Sequence, residues 1–133
     1  VGKAGLSDKI AVDSAGTSSG NVGSPAHPGT LGILNKYGIK DYHGRSRQIT
    51  HNDLSEYDYV LAMDRDNLAF ILRYALGAKA DVRLFLSYAQ DAGLVEIEEV
   101  PDPYYDGNYQ QTYDLVERGS RALLDHIRHA QKI

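Results

Sequence analysis

The run Tyr57-Asp58-Tyr59-Val60-Leu61-Ala62-Met63 constrains the fold more than any other stretch of the chain. It opens with polar–apolar alternation and closes on four consecutive apolar side chains, Val60, Leu61, Ala62 and Met63. A strand wetted on one face would alternate throughout, whereas an unbroken apolar run suits a parallel strand covered on both faces. The flanking pattern supplies the crossovers that parallel strands need. Asp66 or Asn67 can cap a helix carrying Leu68, Ile71, Leu72 and Leu76, and residues 82–86 read as the next strand. Upstream, Lys9-Ile10-Ala11-Val12-Asp13 alternates and reads as a strand of a half-covered sheet. Pro28 opens a helix with Leu31, Leu34 and Tyr37 on one face, stopping at Gly38. Thr50 and Asp53 hold the spacing of a capping box for a short helix. Residues 111–130 form the last helix, burying Leu115, Val116, Ala122, Leu123 and Ile127. Gly119 sits inside it at a cost of about 1 kcal/mol against alanine, which predicts a close backbone contact there. The order strand, helix, strand, helix, strand, helix is α/β with a mainly parallel sheet.

Composition narrows the function. The 133 residues are expected to form one domain over 1–133. A net charge of −4 without a basic stripe argues against nucleic acid as a partner. No apolar run approaches membrane-spanning length, so no membrane partner is expected. There is no cysteine, which excludes disulfides, zinc–thiolate sites and thiol catalysis by these residues. His126 and His129 lie three apart on the last helix, but no third ligand is in view. Neither a metal nor a cofactor is therefore expected. The chain begins at Val1, its one methionine is Met63, and residues 1–4 before Gly5 read as the last turn of a helix ending at a glycine. These features lead us to expect residues upstream.

The densest candidate chemistry is Val100-Pro101-Asp102-Pro103-Tyr104-Tyr105-Asp106-Gly107. Pro103 pushes Asp102 out of the helical region, and Pro101 stiffens the stalk behind it. A carboxylic acid beside two tyrosine rings suits protonation of a phenolic leaving group. The competing reading is a Pro/Asp/Gly turn leading into a helix, with Tyr104 and Tyr105 as partly buried packing residues. In parallel sheets ligands bind outside the C-terminal strand ends, and Ser14, Asp64 and the loop of Asp102 each follow a predicted strand. Ser14 has no sequence-adjacent base to make it a nucleophile and reads as a structural hydroxyl. His43 reads equally as a surface histidine in a turn. Arg45 and Arg47 read as solvated loop arginines, with attraction of phosphorylated partners as the alternative.

Several segments stand out together: Asp13-Ser14-Ala15-Gly16-Thr17, Val22-Gly23-Ser24-Pro25, His43 with Arg45-Ser46-Arg47-Gln48-Ile49, Ala62-Met63-Asp64 with Asn67, and Pro101-Asp102-Pro103-Tyr104-Tyr105. In this order and spacing they resemble one family, the low-molecular-weight protein-tyrosine phosphatases. The resemblance covers nearly the whole chain. It implies a three-layer α/β fold with helices on both faces of the sheet. It also implies phosphotyrosine proteins or small aryl phosphates as substrates, and the cytoplasm as location. In that family a cysteine thiolate in a Cys-x5-Arg loop attacks phosphorus, and the aspartate of the Asp-Pro-Tyr-Tyr element is the general acid. Those roles map onto Asp102 as acid and onto Tyr104 and Tyr105 as substrate walls. Ser14 and His43 map onto phosphate-loop support, and Asp64 onto structural support near the site.

Two departures accompany the resemblance. Gly20 stands where the family often has an aromatic wall. The family's first strand and its phosphate loop have no counterpart in residues 1–133, so these residues alone are expected to be inactive. The missing strand would lie between the strands near Ile10 and Val60. An isolated chain is therefore expected to need a rearranged sheet, upstream residues, or a strand exchanged with a partner in a dimer. Direct pairing of those two strands would overturn that expectation. A non-catalytic relative on the same scaffold is the alternative function. Arsenate reductase is a further one, opposed by the Tyr-Tyr pair and by the lack of the extra cysteines that reduction needs.

Overall fold

Two short strands carry the centre of the molecule: β1 (Tyr59–Ala62) and β2 (Asp81–Leu84), parallel and in register from Tyr59 opposite Asp81 to Ala62 opposite Leu84. The computed structural model describes residues 1–40, 42–74 and 77–133. Around the strands lie α1 (Pro28–Lys36), α2 (His51–Glu56), α3 (Arg65–Leu72), α4 (Ser87–Asp91), α5 (Pro103–Asp106) and α6 (Tyr109–Gln131).

The pleat sorts side chains onto two covered faces, as the apolar run requires. Val60, Ala62, Val82 and Leu84 face Leu54 of α2 and Leu68 and Ile71 of α3. Leu61 points the other way, against Tyr88 and Ala89 of α4 and Ala122 and Leu123 of α6. The result is three layers, helix–sheet–helix. A second cluster on the α6 side gathers Phe85, Leu86, Val100 and Leu115, with Leu86 fully buried. Gly119 does mark a close approach, made by side chains packed onto its helix: a Cβ built there would lie 2.5 Å from Phe85 Cε1 and 3.1 Å from Leu86 Cδ2.

The element boundaries depart from the sequence reading at several points. The strand expected over residues 9–13 does not form, and Val12 is 78% exposed. A strand exists by its ladder, and no described residue pairs with this segment. The direct pairing of the Ile10 and Val60 segments is likewise not seen. The second strand ends at Leu84, and Phe85 and Leu86 turn into α4, which the sequence reading did not anticipate. α3 is capped by Asp64 rather than by Asp66 or Asn67: its carboxylate accepts the Asn67 N–H at 2.8 Å. On that helix Ile71 is buried and Leu72 is largely exposed, while Leu76 lies outside the described residues. α6 starts two residues earlier than expected, capped by the Asn108 side chain. Gly5, at φ +71°, closes a single 3-10 turn at Gly2–Ala4, matching the expected helix end.

Candidate functional site

Asp102 takes the conformation its prolines dictate, extended at φ −78° and ψ 115°. The loop bearing it is fastened to the C-terminal end of β1. Val100 is buried, and its N–H donates to the Met63 carbonyl at 2.8 Å. The Arg65 N–H donates to Glu99 Oε2 at 3.1 Å, and Arg65 Nε donates to Glu98 Oε1 at 2.6 Å. The Thr112 hydroxyl donates to the Pro101 carbonyl from α6. Asp64 and the loop bearing Asp102 are therefore tied to the same strand end, whereas Ser14, which the strand-end reading grouped with them, has no hydrogen bond to that end among the described residues.

Asp102 itself is exposed, and its Oδ1 accepts the Tyr104 N–H at 2.9 Å. Among the described residues its Oδ2 has no hydrogen-bond partner. The turn-into-helix reading is thus also realised, since Asp102 caps α5. Tyr104 and Tyr105 are 74% and 84% exposed, with rings edge-to-face at 5.4 Å. Neither is a packing residue. Both rings stand exposed on the short helical turn that Asp102 caps.

Ser14 and His43 lie in polar loops outside the two named strands. The segment carrying Ser14 is joined to the following loop by a parallel bridge between Gly16 and Gln48, and Pro25 pairs antiparallel with Arg45. Ser14 is exposed, and its N–H donates to Asp13 Oδ1 at 2.8 Å. His43 is exposed and makes no hydrogen bond to a described residue. No hydrogen bond or ion pair among the described residues links Ser14 or His43 to Asp102.

Arg47 is not a solvated loop arginine. Its Nε donates to Asp13 Oδ2 at 3.1 Å, and its Nη1 and Nη2 grip Asp53 Oδ2 and Oδ1 at 2.9 and 3.1 Å. Asp53 also accepts the Thr50 N–H at 2.7 Å, completing the expected box. The hydrogen bond from Arg47 holds the Asp53 carboxyl below its usual range, against burial, which pushes it up; the Thr50 N–H adds to the lowering. Asp53 in turn raises the Arg47 guanidinium above its ordinary value. The sequence reading missed this group because Asp13 and Arg47 are thirty-four residues apart. It likewise missed His27, whose Nδ1 caps α1 through the Gly29 N–H and lies 2.8 Å from the Tyr109 hydroxyl. Among the described residues no group of three metal-ligating side chains forms a cation site.

A family model described as low molecular weight phosphotyrosine protein phosphatase matches residues 1–132. The chain belongs to that family. Among its phosphatase relatives, YfkJ of Bacillus subtilis is 37% identical over 133 residues, covering 98% of this chain and 83% of YfkJ. The crystal structure of YfkJ superposes with a TM-score of 0.88 at 35% identity, over 97% of this chain and 80% of that one. PtpA of Staphylococcus epidermidis is 34% identical over 92% of this chain and 75% of its own. A protein tyrosine phosphatase structure from Entamoeba histolytica gives a TM-score of 0.88 at 25% identity, over 98% and 83%. The low-molecular-weight phosphatase fold is therefore shared across the chain, and its segments bearing Ser14, His43, Asp64 and Asp102 are all within the matched region.

Proposed function

We propose that the protein hydrolyses tyrosine phosphomonoesters through a phosphocysteine intermediate, with Asp102 as general acid. The observation that carries this reading is Asp102 itself: extended between two prolines, with one carboxylate oxygen engaged by the Tyr104 N–H and two exposed phenol rings on the turn it caps. In the first step a thiolate attacks phosphorus, the P–O bond to the phenol breaks, and Asp102 gives its proton to the departing oxygen. In the second, the Asp102 carboxylate takes a proton from water, the oxygen attacks phosphorus, and the S–P bond breaks to release phosphate. The thiolate comes from outside residues 1–133, which contain no cysteine. These residues by themselves are expected to turn over nothing. Tyr104 and Tyr105 wall the substrate ring, and Ser14 and His43 support the loop that holds the phosphate. Asp64 acts by starting α3 at the strand end next to the acid loop. Phosphotyrosine proteins and small aryl phosphates are the substrates this slot suits.

The test is turnover of phenyl phosphate and p-nitrophenyl phosphate by the purified protein and its Asp102→Asn variant. Iodoacetate is expected to abolish turnover. The variant should lose about 10²–10⁴-fold in kcat/KM, which reports the first step alone, on phenyl phosphate. It should lose less on p-nitrophenyl phosphate, whose leaving group needs less protonation. Equal losses on the two would remove Asp102 from the acid role. Absence of any thiol-sensitive turnover would instead favour a binding module on the same scaffold.

A further inference from the structure

We infer that Arg47 is a positioning residue for Ser14, acting through Asp13; this rests on the reading of Ser14 as support for the phosphate loop. Residues 11–16 are all exposed, so no apolar burial holds them in place. Their ties are polar. The Gly16 N–H donates to the Arg47 carbonyl at 2.8 Å, and the Ile49 N–H donates to the Gly16 carbonyl at 2.8 Å. Gln48 Nε2 donates to the Thr17 carbonyl at 3.2 Å. All three lie at or beyond Gly16. Ser14 is reached by one further route: Asp13 Oδ2 accepts from Arg47 Nε, while Asp13 Oδ1 accepts the Ser14 N–H. One carboxylate thus bridges the arginine to the serine backbone.

The far end of this route is rigid. Arg47 holds Asp53 with a two-pronged grip, and Asp53 is only 8% exposed. The next residue, Leu54, is 3% exposed and packs with Ala62 of β1 and Ile71 of α3. Arg47 therefore transmits the position of the sheet layer to an exposed loop that has no core contact of its own. A planar guanidinium serves this role because its Nε and its two terminal nitrogens address different carboxylates at once; an ammonium offers no such fork.

Backbone 15N relaxation on the protein tests the tether. In Asp13→Ala the Arg47–Asp53 pair and α2 remain, so the melting midpoint should hold. The order parameters at Ser14 and Ala15 should fall from the rigid range near ~0.85 to below ~0.6. Arg47→Lys should recover the thermal stability lost in Arg47→Met without recovering order at Ser14. A purely structural arginine would recover both or neither. Unchanged order at Ser14 in Asp13→Ala would overturn the tether, and that variant remains informative even if Arg47→Met does not fold. Turnover of p-nitrophenyl phosphate separates the two layers of the argument. If Ser14 becomes mobile while Asp13→Ala and Ser14→Ala both keep full kcat, the tether stands and the Ser14 assignment falls. If Ser14→Ala lowers kcat but Asp13→Ala leaves Ser14 ordered, the assignment stands and the tether falls.

Discussion

Replacing Gly119 with alanine sets helix propensity against packing. In an exposed helix the change stabilises by about 1 kcal/mol. Here the new methyl would sit 2.5 Å from Phe85 Cε1, 2.8 Å from Phe85 Cζ and 3.1 Å from Leu86 Cδ2. Carbon pairs rest at about 3.5–4.0 Å, so the ring would have to recede by roughly 1 Å. It has little room: Phe85 is 5% exposed and Leu86 0%, and Val100 and Leu115 complete the cluster. Overpacking costs about 1–3 kcal/mol, and a rigid ring places this site in the upper half of that range. The net expectation is destabilisation by about 1–2 kcal/mol, or a melting midpoint lowered by roughly 5 °C. Urea unfolding followed by far-UV circular dichroism measures it, with unchanged m required for the comparison. Ser120→Ala, exposed one residue further on, is the control and should stabilise by a few tenths of a kcal/mol. A Phe85→Leu partner should relieve the strain, giving a favourable coupling of about 0.5–3 kcal/mol in a double-mutant cycle. Stabilisation of Gly119→Ala by the full propensity gain would refute the packing argument.

Two further outcomes concern the anchors of the site. Asp53 titrates lower in the folded than in the unfolded chain, chiefly because Arg47 bonds it, so its stabilisation is present above the ordinary carboxylate range. It is lost as pH falls through the folded value. Thermal midpoints measured from neutral to strongly acidic pH should show that loss in the parent. Asp53→Asn should start lower at pH 7 and fall less steeply; an equal slope would mean the acid sensitivity lies elsewhere. Asp64→Ala should cost about 1 kcal/mol in urea unfolding by uncapping α3, and no change would show that the Asn67 N–H finds water at no cost.

The sequence by itself determined the features that depend on neighbouring residues. The apolar run to Met63 dictated a doubly covered parallel strand, since the alternation of side chains is a local property and both faces must be apolar to be dry. Proline geometry set the extended backbone at Asp102, and Thr50 with Asp53 announced the start of α2. Gly119 declared a close contact because nothing else explains a glycine in that helix. The family motifs were legible for the same reason: each is a short string of fixed spacing. What tertiary structure alone decided are relations between distant segments. A strand is a partnership, so residues 9–13, with the right alternation, form no ladder, and Lys9 and Ile10 instead close a turn onto the Leu6 carbonyl. Whether an arginine is solvated or clamped depends on which carboxylates the fold brings to it, and for Arg47 these lie six and thirty-four residues away. Tyr104 and Tyr105 were free to pack or to stand in solvent until the fastening of residues 98–100 to the end of β1 left their rings outside the core. Local stereochemistry is written residue by residue, whereas burial and charge pairing belong to the assembled surfaces.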